Sequence, residues 1–150
     1  MTVIAIKDGV IAADSASCAN DRITHFADKI FLVKPEHGGG YVAASGAWAL
    51  GQAAARMYAE TGTVPTEKAD QFNLHLLRSD GSTARCEDGA WFDVAAPFIA
   101  GGCGADFAAG AMAAGASAVE AVRLACQHMN FCGGPILTFS VDGRYAEAAE

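Results

Sequence analysis

The first fourteen residues constrain the fold more than any other part of the chain. Residues 3–6 and 9–14 are nearly continuous apolar runs, and Asp8-Gly9 between them is a typical β-hairpin turn. Apolar runs without polar alternation are typical of strands that are covered on both faces. We therefore predict an N-terminal hairpin inside a sheet that has other layers above and below it.

The rest of the chain alternates between strand and helix patterns. Residues 47–61 favour a helix, with Trp48, Gln52, Ala55 and Ala59 on one face and Gly62 as its stop. Ser117 and Glu120 predict a capping box for a late helix. The other predicted helices are at 105–114 and 118–129, and the other predicted strands are at 29–34, 40–45, 72–77, 90–94, 98–100, 136–141 and 144–146. Glycines 101, 102 and 104 predict a break in the chain before the helix at 105–114. The glycines and proline of residues 35–40 predict a loop without helix. This order predicts two packed sheets flanked by helix layers.

Thr2 directly follows the initiator methionine. If Met1 is removed, Thr2 carries a hydroxyl and a free amine on adjacent carbons, so one residue supplies both an attacking oxygen and the base that deprotonates it. A free α-amino group has an ordinary pKa of about 7.7 to 8.0, which leaves a useful unprotonated fraction near neutral pH. Thr2 is therefore a candidate N-terminal nucleophile, and a buried strand after it would hold it in one geometry.

Three further residues give Thr2 a catalytic context. The segments GVIAADS at 9–15, DKIFLV at 28–33 and YVAASG at 41–46 resemble, in order and spacing, the opening of a proteasome β-subunit. The resemblance implies that Lys29 lies beside the threonine hydroxyl, that Asp14 holds this lysine, and that the Gly46 N–H points at the oxyanion. Each role is physically sensible, because a nearby cation favours the alkoxide and an N–H donor stabilises developing negative charge.

The second half resembles the same family in its strand, helix hairpin and Gly-Gly strand start, but its polar residues differ. The matching segments are FIAGGCGADFAAGAM at 98–112, AGASAVEAVRLAC at 114–126 and NFCGGP at 130–135. The family places serine, aspartate and serine where this chain has Cys103, Met129 and Cys132, a set that hydrogen-bonds the terminal amine. Thiols and thioethers are weak partners, so we expect the amine to be less firmly oriented.

The resemblance covers roughly residues 2–62 and 97–147 and implies a complete architecture. We expect one domain over residues 1–150 with a shortened α/β fold, the four-layer αββα sandwich of N-terminal nucleophile hydrolases. The implied activity is that of a threonine peptidase acting on peptides or unfolded proteins, within a homo-oligomeric ring and with a possible ATP-dependent unfoldase. Two alternatives stay open: a catalytically inactive scaffold or binding protein, and a small-molecule amidase.

Composition and residue spacing argue against several other kinds of binding site and location for this protein. The net charge is −7 and no run of Lys or Arg exceeds two residues, so we expect no nucleic-acid binding. The five cysteines contain no C-x-x-C pair, which predicts reduced thiols in the cytoplasm rather than disulfides or a zinc site. Asp8 and Asp14 interrupt the first apolar stretch, so no membrane span is expected. The four histidines do not have the spacing of metal ligands, so we expect no metal and no cofactor. A weaker candidate for a nucleophile is Cys103 or Cys132 paired with His128.

Overall fold

A computed structural model describes residues 1–20 and 22–143 and forms an α/β sandwich. The helices are α1 (Trp48–Thr61), α2 (Ala105–Ala113) and α3 (Ala118–His128). The strands are β1 (Val3–Lys7), β2 (Val10–Ala13), β3 (Ala16–Ala19), β4 (Arg22–Phe26), β5 (Ile30–Leu32), β6 (Tyr41–Gly46), β7 (Phe72–Leu77), β8 (Thr83–Glu87), β9 (Ala90–Asp93), β10 (Phe98–Gly102) and β11 (Leu137–Ser140). In this part of the chain no helix has both the length and the apolar character that crossing a membrane requires.

Two antiparallel sheets and a separate ribbon make up the β structure. The first sheet has the order β10-β1-β2-β11, the second has the order β5-β6-β7-β8-β9, and β3 pairs with β4. The N-terminal strand β1 therefore lies inside its sheet, hydrogen-bonded on both sides, as the sequence predicted. Asp8 and Gly9 have φ angles of 53° and 73°, which suit the tight turn between β1 and β2.

Three apolar cores separate four layers. In β1, Val3 and Ala5 pack with α2 and α3, whereas Ile4 and Ile6 pack in the core between the two sheets. This alternation explains the unbroken apolar run, because both faces of β1 are buried. A third core lies between α1 and the second sheet, with Ala55 among its buried residues. The four-layer αββα arrangement is confirmed.

Most predicted elements are present, with small shifts at their ends. The helix over 47–61 begins at Trp48 and ends at Thr61, and Gly62 directly after it has a left-handed φ of 72°. The capping box is also formed, because Ser117 Oγ accepts from Glu120 N at 3.1 Å and Glu120 Oε2 accepts from Ser117 N at 3.2 Å. The strand predicted at 144–146 lies outside the described residues.

Four features differ from the predictions. Residues Pro35–His37 form one turn of 3-10 helix where we expected none, because proline is tolerated in the first turn and Gly38 ends it in a left-handed conformation. The break expected at glycines 101 and 102 is wrong: β10 continues through both, opposite Ile4 and Val3. The ribbon β3-β4 and strand β8 were not predicted. All five residues of β4 are exposed, so it carries no burial pattern.

Candidate active site

A buried ion pair lies beside Thr2. Lys29 Nζ donates to Asp14 Oδ1 at 2.9 Å and to Thr2 Oγ1 at 3.2 Å, and its third contact is the Met1 carbonyl at 2.9 Å. The side chains of Lys29 and Asp14 are completely buried. An ammonium has three N–H donors, so all of them have acceptors here. The Trp48 ring lies 5.5 Å from the same ammonium and adds a cation–π contact from the start of α1.

Asp14 fixes the ends of three segments. Its Oδ1 also accepts from Val3 N at 3.1 Å, and its Oδ2 accepts from Gly133 N at 3.2 Å. The backbone N–H of Asp14 donates to the Val3 carbonyl at 3.2 Å. Asp14 follows β2 directly, and the pairing of Ile4 with Ala13 brings it opposite Val3. The carboxylate therefore orients Lys29 and anchors the start of β1.

The backbone of Thr2 is held from the opposite side by the turn before α2. The Thr2 carbonyl accepts from Gly104 N at 3.3 Å and from Cys103 Sγ at 3.4 Å. Gly102 has a φ of +86°, and a Cβ at this position would lie 2.1 Å from the Thr2 carbonyl oxygen. Only glycine permits this close approach. Thr2 is 6% exposed beneath Met1, which is half exposed.

Gly46 ends β6 at a cleft next to this site. Ala47 N donates to the Gln71 carbonyl at 2.9 Å, on the β7 side of the strand. Because successive N–H groups of a strand point to opposite sides, the N–H of Gly46 points away from β7. On that side β5 begins only at Ile30, which is opposite Ala43, so this N–H lies beyond the end of β5. Gly46, Gly102 and Cys103 line a cleft of about 510 Å³. The oxyanion role of Gly46 stays a prediction.

The sulfur-containing residues surround the same terminus. Cys103 is exposed, whereas Cys132 is buried and its sulfur lies next to Gly104. Burial raises the pKa of the Cys132 thiol, and the nearby Asp14 carboxylate raises it further. Met129 packs in the core between the helices and the first sheet. A neutral buried thiol is a poor nucleophile, and the exposed His128 ring stacks on Phe107 with centroids 5.7 Å apart.

Sequence reasoning missed a buried polar pair behind the cleft. His75 is completely buried on β7, and its Nε2 is hydrogen-bonded to Ser45 Oγ at 2.9 Å. Burial lowers the pKa of His75 to about 3, and the Arg85 charge lowers it further. A Cβ on Gly101 would lie 2.5 Å from the imidazole, so the ring occupies the space of a missing side chain. His75 therefore links the end of β6, from one sheet, to β10, from the other.

No group of three or more His, Cys, Asp and Glu side chains that could hold a metal ion occurs among residues 1–20 and 22–143. The groups that surround Thr2 are an ammonium, a carboxylate, backbone N–H groups and thiols. These groups can polarise a hydroxyl and bind a developing anion, which is the set that acyl transfer uses.

The four-layer sandwich is of the proteasome-like type, and comparison with solved structures shows this directly. BPH from Thiobacillus denitrificans, a bacterial proteasome homologue, was solved in complex with epoxomicin and matches with a TM-score of 0.67 and 18% sequence identity. The match covers 93% of this chain and 97% of that chain. A second structure of the same BPH matches with a TM-score of 0.63 and 19% identity, over 93% and 96% of the two chains. No protein-family model and no curated protein matches the sequence.

Proposed function

We propose that this protein is a threonine-type endopeptidase that uses Thr2 as an N-terminal nucleophile after removal of Met1. The Thr2 hydroxyl attacks a peptide carbonyl, and the freed amine of the same residue accepts the hydroxyl proton and passes it to the leaving amine. Water then hydrolyses the resulting ester and releases Thr2. Lys29 stabilises negative charge on the Thr2 oxygen, and Asp14 holds Lys29 in place.

The observation that carries the proposal is the 3.2 Å contact between Lys29 Nζ and Thr2 Oγ1 inside a fully buried ion pair. Burial of an ammonium and a carboxylate is costly, so a chain gains little stability from keeping such a pair for packing alone. A charge that points at the hydroxyl of the residue directly before β1 has a chemical use. The structural similarity to BPH in complex with epoxomicin, a proteasome inhibitor, supports the same assignment.

The remaining parts of the proposal follow from the cleft and the fold. The Gly46 N–H binds the oxyanion, and the cleft it lines admits an extended peptide or unfolded protein segment. Cys103 and Cys132 lie beside the terminal amine and orient it weakly. Residues 1–150 act as one domain within a cytoplasmic homo-oligomeric ring, to which an ATP-dependent unfoldase could deliver substrates.

A second candidate function is a catalytically inactive scaffold or binding protein with the same fold. The observation that favours it is the sulfur content around Thr2. The Thr2 carbonyl accepts from a thiol at Cys103, and the buried Cys132 offers the amine only a second thiol. If these groups do not orient the amine, the proton transfer that hydrolysis requires is lost.

Intact mass spectrometry combined with peptide hydrolysis tests the proposal. We expect purified protein from its native host to lack one methionine residue, to hydrolyse peptide amides, and to lose this activity when epoxomicin is added. Native mass spectrometry on the same sample gives the number of subunits in the ring. Processed protein that hydrolyses no member of a diverse peptide library would instead support the scaffold.

A further inference from the structure

Two cysteines from distant parts of the sequence meet beside Thr2. Cys103 lies in the turn between β10 and α2, and Cys132 lies in the segment between α3 and β11. Cys132 Sγ lies against the backbone directly after Cys103, since an ideal Cβ on Gly104 would lie 3.3 Å from it. These are two neighbouring thiols from separate loops.

The two thiols differ in their environment. Cys103 is exposed at the cleft, so a small oxidant in solution can reach its sulfur. Cys132 is 4% exposed, and burial raises the pKa of its thiol, so it stays protonated and protected from solvent. An exposed thiol with a buried neighbour is the arrangement in which one sulfur is oxidised first and the second resolves it.

We propose that Cys103 and Cys132 form a reversible disulfide, and that hydroperoxides are the oxidants that close it. This inference concerns the thiol pair and does not depend on peptide hydrolysis by Thr2. It assigns the segment around Cys103 a second role as a redox-modifiable site.

The reaction balances with one hydroperoxide. The Cys103 thiol releases its proton and its sulfur attacks the terminal peroxide oxygen. The O–O bond breaks, Cys103 becomes a sulfenic acid, and the departing hydroxide or alkoxide takes up the released proton and leaves as water or an alcohol. Cys132 gives up its proton as it attacks, so that the thiolate is the reacting form; the S–S bond to Cys103 forms and the S–O bond breaks. The departing hydroxide takes the Cys132 proton and leaves as water. Two thiols have lost two electrons, which reduced the peroxide.

Closing this bond changes the surroundings of Thr2 directly. Cys103 Sγ loses its proton and can no longer donate to the Thr2 carbonyl, which it contacts at 3.4 Å in the reduced protein. The bond also joins the turn that holds Thr2 to the segment whose Gly133 N–H binds Asp14. Both sides of the Thr2 terminus are then linked covalently.

Peptide mapping of oxidised protein tests the inference. We expect folded protein treated with a small excess of hydrogen peroxide to lose two hydrogen atoms, to yield one peptide pair linked through Cys103 and Cys132, and to retain three of its five free thiols. Dithiothreitol should restore all five. The link should also raise the thermal midpoint of unfolding, because it closes a long loop.

Variants provide the controls. Cys103→Ser and Cys132→Ala should each abolish the two-hydrogen loss, whereas Cys126→Ser should leave it intact. Cys103 is exposed, so its replacement tests the idea even if a Cys132 variant folds poorly. Sulfinic acid at Cys103 with Cys132 still free, a link to Cys126, or a link between two chains would each overturn the inference.

Discussion

Lys29 Nζ and Asp14 Oδ1 lie 2.9 Å apart with no exposed surface on either side chain, and the same Asp14 oxygen accepts the N–H of Val3. The pair thus joins the start of β1 to the segment before β5. The pair therefore contributes both to the stability of the fold and to the proposed chemistry. Unfolding experiments measure the first contribution, and hydrolysis rates measure the second.

Replacing Lys29 with Met should reduce the free energy of unfolding by about 3–5 kcal/mol, because the Asp14 carboxylate is left buried without its partner. Urea denaturation near neutral pH measures this loss. Lys34→Met is the matched control: Lys34 pairs with Glu60 at 2.7 Å, but both side chains are largely exposed, so the loss should be much smaller. Similar losses in the two variants would show that the buried pair contributes nothing special.

At the nucleophile, Thr2→Ala should abolish peptide hydrolysis, whereas Thr2→Ser should keep a measurable fraction, because serine retains the hydroxyl and, once Met1 is removed, the amine. Initial rates on a fluorogenic peptide amide measure the difference. Sedimentation of both variants should match that of the wild type, since Thr2 contributes little to the cores. Undiminished hydrolysis by Thr2→Ala would exclude Thr2 as the nucleophile.

Gly102→Ala should perturb Thr2 far more than the same change at another left-handed glycine. A Cβ on Gly102 would lie 2.1 Å from the Thr2 carbonyl oxygen, so β1 or β10 must shift. Gly81 has nearly the same φ, +87° against +86°, but nothing lies within 4 Å of its added Cβ. Gly81→Ala should cost only the conformational strain of about 1–2 kcal/mol.

The comparison is read from thermal unfolding and from hydrolysis rates. We expect Gly102→Ala to lose more stability than Gly81→Ala and to lose activity as well, with Gly81→Ala fully active. Equal stability in the two variants would mean that the close approach of Gly102 to Thr2 is not maintained in solution.

His75 should make the fold sensitive to mild acid. Its pKa of about 3 in the folded protein is below the ordinary value of about 6.5, so below pH 6.5 the unfolded chain binds a proton that the folded chain excludes. The stabilising effect of the neutral ring is therefore complete above pH 6.5 and is lost as the pH falls towards 3. We expect a loss of about 1.4 kcal/mol between pH 7.5 and 5.5.

Urea midpoints at these two pH values measure the slope. His75→Asn should be less stable at both values but should lack this pH dependence. His25→Gln, on the exposed strand β4, should keep it. A wild-type stability that does not change over this range would contradict a neutral, buried His75.

The parts of the fold that the sequence predicted are those with a strong local signal. Asp8-Gly9, the apolar runs around it, Gly62 after α1 and the Ser117 capping box each act within a few residues. Strand β4 has no such signal, because all five of its residues are exposed and it is formed by pairing with β3. Gly101 and Gly102 predicted a break for a sound local reason, but neighbours distant in sequence keep them in β10.

The same distinction applies to the site. Thr2, Asp14 and Lys29 were found through spacing and resemblance, and the structure brings their side chains together. His75 was missed because a single histidine in an apolar strand carries no information about Ser45, thirty residues earlier. The His75 ring fits because Gly101, on the opposite sheet, has no side chain. This complementarity can be seen only once the two sheets are packed together.

The Met1 carbonyl occupies the third donor of Lys29, at 2.9 Å. Cleavage after Met1 removes that acceptor and leaves one N–H of the buried ammonium without a hydrogen-bond partner. A water molecule or the carbonyl of an incoming chain could take its place. Removal of Met1 would then do more than expose the Thr2 amine. It would also free one donor of the Lys29 ammonium to bind an oxygen of the substrate.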